Sequence, residues 1–442
     1  MLAVLCASLL LVGMDLTVLH VAVPTLTRRL LPGPTELLWI VDAYSLTVAA
    51  LLVTAGTLGD RIGRKRVLLA GFAVFGLASA AAALCTAPVP LIAARVALGA
   101  GAAMIMAATV SVIRTVFPDD RERALAIGLW TASHSVGASL GPVVGGLLLE
   151  RFWWGSVFLV NVPIVALALV FGARLVPNSR NPAPRRWDLG SAALSIAGLA
   201  AAVFALKRFG EHGSVDLGAA AGAAIGAALL CWFVARQRRS RTPLLDLSLF
   251  GDRRFAMATV SVLGCFGCYT ALLFLLAQRF QLVDGDSPLG AGRTLLPMAV
   301  ANAIGAVVAP RLAVWWGRRW IVFAGLALFA VTLAGYAVTG TPAVLAGAGL
   351  GAGFVMTLGA DAIMAAARPE RAGEASAIQE TSFELGAGLG VAVLGTVAFG
   401  PGFLAAVWTA TGLLAVLSVL SAVLLRDQRT AASASGNVKA PA

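Results

Sequence analysis

Along its 442 residues the chain returns again and again to apolar stretches long enough to cross a bilayer as a helix, which takes about 20 residues. Fourteen such runs are read between clusters of charge, Gly and Pro. They cover 2–24, 37–58, 67–87, 90–113, 124–148, 153–173, 189–206, 215–235, 255–277, 289–313, 320–339, 342–366, 375–399 and 403–425. So much apolar length leaves little for a charged shell. Only 12% of residues are charged and mean hydropathy is +0.90, against about 25% charged residues in a soluble domain. A soluble enzyme, a disordered chain and a nucleic-acid binder are therefore excluded. The chain reads as an all-α integral membrane protein.

The net charge of +12 then needs a membrane explanation. Lys and Arg collect on cytoplasmic loops. With the N-terminus inside, only Arg28, Arg29, Arg151, Lys207, Arg208, Arg279 and Arg293 of the 33 Lys and Arg fall in outer loops. Arg95 lies within a run, and the others lie on the cytoplasmic side. This asymmetry places both termini in the cytoplasm of a multi-pass inner-membrane protein.

An internal repeat is also visible. Gly56-Thr-Leu-Gly-Asp60-Arg61-Ile-Gly63-Arg64-Lys65 follows the second run, and Pro310-Arg-Leu-Ala-Val314-Trp315-Trp-Gly317-Arg318-Arg319 follows the tenth. Leu, Gly and two basic residues recur at equal spacing. Parallel six-helix repeats are a transporter architecture. The expected division is an N-terminal six-helix bundle over 1–173 and a linker with two further helices over 174–254. A C-terminal bundle over 255–425 and a tail over 426–442 follow.

Gly56-x-Leu58-x-Asp60-Arg61-x-Gly63-Arg64-Lys65 resembles the signature loop of the major facilitator superfamily. Leu91-Ile-Ala-Ala-Arg95-Val-Ala-Leu-Gly99 is similar to its arginine-containing motif, and Gly137-Ala-Ser-Leu-Gly141-Pro142-Val-Val-Gly145 to its antiporter motif. Met14-Asp15-Leu-Thr17 and Trp39-Ile-Val-Asp42-Ala-Tyr44 complete the set. With fourteen runs, the whole chain resembles the drug:proton antiporter branch of that superfamily, the QacA-type exporters. The resemblance implies a major facilitator fold and export of lipophilic organic cations in exchange for protons. It also implies gating by Asp60, Arg61, Gly63 and Arg64, with a hinge or close helix contact at Gly137, Gly141, Pro142 and Gly145.

An ionisable side chain within hydrocarbon costs roughly 2.5–3.5 kcal/mol on insertion scales and is a functional candidate for that reason. Asp15, Asp42, Glu380 and Glu384 qualify, and Glu380 and Glu384 share one helix face at i and i+4. Burial disfavours their charged form, so each can exchange a proton for an organic cation. Proton coupling is expected at Asp15, Asp42, Arg95, Glu380 and Glu384. Substrate contact is expected at Asp15, Glu380, Glu384, Trp130 and Asn302. Asn302 stands where some relatives that handle dications carry an acid.

Other signals carry less. Cys265-Phe-Gly-Cys268 has no second ligand pair, Gly349-Leu-Gly351-Ala-Gly353 follows no strand, and no Walker lysine motif occurs. No cofactor, metal or enzymatic activity is expected, and the partners are lipophilic cations, protons and lipid around a monomer. A dedicated exporter of one natural product, an amphiphile translocator and a non-transporting receptor remain open alternatives.

Overall fold

The structure is a computed structural model that describes residues 1–117, 119–178, 188–212, 216–240, 247–366 and 372–424. Most of the stretch expected to link the first bundle to the inserted helices, and the tail 426–442, lie outside the described residues. Among the described residues there is helix and no strand. The long helices are α1 (Leu2–Leu30), α2 (Pro34–Ile62), α3 (Arg64–Ala83), α4 (Pro88–Val116) and α5 (Asp120–Arg151). The short α6 (Ser156–Leu159) and α7 (Asn161–Leu175) together make the sixth crossing. Then come α8 (Leu189–His212), α9 (Leu217–Arg239), α10 (Arg253–Leu282) and α11 (Pro288–Trp316). The chain closes with α12 (Arg318–Thr339), α13 (Leu345–Ala366), α14 (Ala372–Phe399) and α15 (Phe403–Leu424). Among the described residues, fourteen helical stretches are long and apolar enough to span a membrane.

Several helices outrun their apolar cores, because backbone hydrogen bonding continues into the polar ends. The stretch read as a loop after the second run is the clearest case. Asp60 and Arg61 belong to the last turn of α2, and a single residue, Gly63, separates that helix from α3. Gly63 has φ 108°, and Gly317, at the same joint in the second repeat, has φ 84°. Both lie where only glycine is free of a steric penalty. The seventh run likewise continues to His212, which draws Lys207 out of its expected loop and into α8.

The two repeats are assembled alike. α1 packs along α5 as α10 packs along α14, and α2 along α4 as α11 along α13. α3 packs on α4 and α7 as α12 packs on α13 and α15. These are two six-helix bundles of the major facilitator fold. α8 and α9 pack on each other as an inserted pair, and α8 also rests on α2 and α14.

The bundles meet through α2 with α14, α5 with α11, and α1 with α10. The packing is close enough that a Cβ on Gly388 would press on Leu46, and one on Gly395 on Leu38. A Cβ on Gly292 would lie 2.6 Å from the Pro142 carbonyl oxygen, and one on Gly146 2.7 Å from that of Pro288. Gln281 Nε2 donates to the Val21 carbonyl at 2.9 Å. All these contacts lie toward the end opposite the N-terminus, called here the far side. There the seam between bundles is shut.

Candidate functional site

Asp15 sits mid-way along α1 and is wholly buried. Arg95 of α4 donates to its Oδ2 from Nη1 at 2.8 Å, and Asn161 Nδ2 donates to its Oδ1 at 2.7 Å. Asn161 also reaches Ser79 Oγ at 3.2 Å. Arg95 places Nε on the Ile40 carbonyl of α2 at 3.1 Å and its guanidinium 4.5 Å from the centre of the Tyr44 ring. Helices α4 and α7 thus meet the Asp15 carboxylate of α1 directly, and α2 and α3 are joined to it through Arg95 and Asn161. Both Asp15 oxygens are satisfied inside the N-terminal bundle, which sets this group apart from the seam.

Glu384 is the opposite case. It is also wholly buried, and among the described residues neither carboxylate oxygen makes a hydrogen bond of ordinary geometry, Ser45 being the one polar side chain placed to interact with it. It stands near Ser45, across the seam between α14 and α2. Glu380 lies one turn toward the N-terminal side and is contacted only weakly, by Gln379 Nε2 at 3.4 Å. A buried polar group without a partner carries an unreturned desolvation cost. Glu384 carries most of that cost, and Glu380, one turn away on the same helix face, offsets it only through the long Gln379 contact.

Asp42 lies on the same seam. Its Oδ2 is 2.8 Å from Lys207 Nζ of α8, and both side chains are 0% exposed. The ammonium also sits 4.0 Å from the centre of the Trp39 ring. A void of about one water's size adjoins the pair, bordered by His20, Asp42, Ser45 and Thr270.

The remaining candidates, Pro142 apart, are held within single bundles. Trp130 is buried and donates its indole N–H to Thr109 Oγ1 of α4 at 3.0 Å. Asn302 directs Nδ2 to the Gly349 carbonyl of α13 at 3.4 Å. A Cβ on Gly137 would overlap the Leu10 carbonyl, one on Gly141 would overlap Thr17 Oγ1, and one on Gly145 would crowd the Val18 carbonyl. The stripe lays α5 on α1, where small residues allow close backbone approach. The neighbouring face, with Pro142 and Gly146, meets α11 of the other bundle. In the α2–α3 joint, Asp60 pairs with Arg64 at 3.2 Å, while Arg61 is exposed. Arg64 also donates to the Ser111 carbonyl at 3.1 Å and to the Thr115 hydroxyl, both on α4. In the second repeat, where Val314 replaces the acid, Arg318 finds Asp361 of α13 at 2.7 Å.

The structure thus adds residues that sequence reading missed. Asn161 could have been found as a lone amide in an apolar run. Lys207 was assigned to a loop by ending the seventh run one residue too early. His20 could have been found as a lone imidazole in an apolar run and Trp39 stood in a quoted motif with no role assigned, whereas Ser45 carried no such signal.

Two symmetric bundles, a shut seam and buried acids along it define a multi-pass transporter. The profile of the Major Facilitator Superfamily matches residues 5–390, and again 298–441. The chain belongs to that superfamily. It is 42% identical over 410 residues to the multidrug efflux pump LfrA of Mycolicibacterium smegmatis, covering 90% of this chain and 80% of that protein. It is 40% identical over 395 residues to the methyl viologen resistance protein SmvA of Salmonella typhimurium, covering 87% of this chain and 79% of that protein. The crystal structure of the human organic anion transporter MFSD10 (TETRAN) superposes with a TM-score of 0.66. At 17% identity over 95% of this chain and 98% of that one, it reports the fold alone.

Proposed function

We propose that this chain is a proton-coupled multidrug exporter, a transporter and not an enzyme, that moves lipophilic organic cations by alternating access. It works as a monomer in the inner membrane with both termini cytoplasmic, so that the far side faces outward and is closed in this conformation. The observation that carries the reading is Glu384, a fully buried acid at the seam that faces no cationic partner within salt-bridge distance among the described residues and has only Ser45 beside it. A proton neutralises it in one half-cycle and a desolvated cation in the other. Glu380 extends that site toward the cytoplasm.

Asp15 and Arg95 have a different part. Protonating Asp15 removes the counter-charge of Arg95 and loosens its hold on the Ile40 carbonyl of α2. Proton uptake is thereby linked to a helix that forms the seam. Asp60, Arg61, Gly63 and Arg64 act at the cytoplasmic end as a gate, while Pro142 gives α5 its freedom to bend against α11. One pH unit supplies about 1.36 kcal/mol per proton, and 100 mV adds about 2.3 kcal/mol per charge.

The reading is tested by ethidium efflux in everted vesicles with an imposed pH gradient. Wild type should transport, and Glu384→Gln should not. Transport that ignores both the gradient and the substitution would overturn it.

A further inference from the structure

The inserted pair α8–α9 has no counterpart in the two-bundle repeat, yet it sends one charge into the core. Lys207 Nζ meets Asp42 at 2.8 Å and the Trp39 ring at 4.0 Å, with both charged side chains wholly buried. A carboxylate beside an indole face is the arrangement that recognises an organic ammonium. Here the ammonium belongs to the chain itself.

The pair is a poor device for stability alone. Among the described residues neither Asp42 nor Lys207 has a hydrogen bond beyond their mutual contact. An under-satisfied buried ion pair repays its desolvation incompletely, and apolar residues of similar size often do as well or better. Its position says more. α8 rests on α2 and α14, one of the helix pairs that close the seam on the far side. Those helices must part for the far side to open, and α8 cannot then keep its contacts with both.

We propose that Lys207 is a tethered counter-cation: it holds the Trp39–Asp42 site while the far side is closed, and an organic ammonium or a proton takes its place when α8 withdraws. The inference rests on the exchange reading above and adds the residue that sets when Asp42 is available. The charged or titratable groups near Asp42 are His20 from α1, Arg95 from α4 and Lys207 from α8, with Asp15 and Glu384 reached only across Tyr44. Of these, Asp15 and Arg95 are already paired with each other. Lys207 is the group whose charge matches that of the cargo.

The test is equilibrium binding of ethidium to the purified full chain at pH 6 and pH 8. Lys207→Met should bind about tenfold more tightly than wild type at pH 8, and less of that gain should survive at pH 6, where protons compete for Asp42. Adding Asp42→Asn should abolish the gain, and Lys207→Arg should show none. Equal affinity of Lys207→Met and wild type at both pH values, or a gain that survives Asp42→Asn, would overturn the inference. Should Lys207→Met fail to fold, Lys207→Ala purified in n-propylammonium replaces it. Added n-propylammonium should then raise its unfolding temperature, but not that of wild type or Lys207→Ala/Asp42→Asn; no such rise overturns the inference. Asp42→Asn in the vesicle assay separates the two ideas. Unchanged proton-driven efflux would remove Asp42 from coupling, whereas the binding comparison depends on Lys207.

Discussion

Arg95 Nη1 donates to Asp15 Oδ2 at 2.8 Å across 80 residues of sequence, with both side chains almost wholly buried. Breaking one side of such a pair costs about 3–5 kcal/mol, because the other charge stays behind. Arg95→Met and Asp15→Asn should therefore each lower the unfolding temperature of purified protein markedly. The double variant should recover most of that loss while proton-driven ethidium efflux stays absent. Efflux that returns with stability would assign the pair to folding alone.

Glu384 makes the contrasting prediction. Since its carboxylate has only Ser45 beside it among the described residues, Glu384→Gln removes a buried acid and at most one weak contact. Thermal stability should equal or exceed that of wild type, while exchange falls at least tenfold. Glu380→Gln, one turn farther from the far side, should show a smaller loss. The two readouts are an unfolding scan and the vesicle assay on the same preparation.

The two faces of α5 should respond differently to added bulk. Gly141→Leu collides with α1 inside one bundle, and overpacking of this kind costs about 1–3 kcal/mol or more. It should appear as loss of folded protein. Gly146→Leu instead strikes Pro288 and Leu289 of α11 at the closed seam. Folded yield should hold while the far side opens, read as faster labelling of a cysteine introduced at Leu289.

Arg318 and Asp361 are about half exposed, and exposed ion pairs contribute about 0–1 kcal/mol. Asp361→Asn should change stability by less than about 0.5 kcal/mol, as measured by denaturant titration. A larger loss would show that the second repeat depends on this pair to hold α12 on α13.

Asp188, just before α8, is outside the membrane-spanning segments. Burial pushes its carboxyl up, but hydrogen bonds from Arg236 and Ser191 outweigh that and hold it down at about 2, against an ordinary 3.8. A depressed acid stabilises the fold above its unfolded value and loses that contribution as pH falls through the folded one. Hydrogen exchange at the start of α8 should therefore be pH-independent in its protection between pH 8 and pH 5, once intrinsic rates are removed. Protection should fall between about pH 4 and pH 2. Asp188→Asn should show the lowered protection already at pH 7.

Much of the architecture was legible without coordinates. Length and spacing of apolar runs gave fourteen crossings, and Gly63 and Gly317 marked the same joint twice. The acids in hydrocarbon stood out because burial of charge is costly wherever it occurs. Lys207 was the instructive miss. Charge next to a run reads as a loop, but a helix continues as long as its backbone bonds do, and Asp42 supplied the counter-charge that allowed Lys207 inside.

The sequence by itself determined how many helices cross, which of them repeat, and most of the ionisable groups within them, Lys207 excepted. Only the tertiary structure decided their partners. Asp15 met Arg95 and Asn161, Asp42 met Lys207 and Trp39, and Glu384 was left with only Ser45 beside it. The reason is physical. In a soluble helix the apolar stripe tells which face turns inward, whereas lipid is as apolar as a packed core. Hydrophobic pattern therefore cannot say which way a membrane helix faces, and the pairing of its charges is set by helix packing alone.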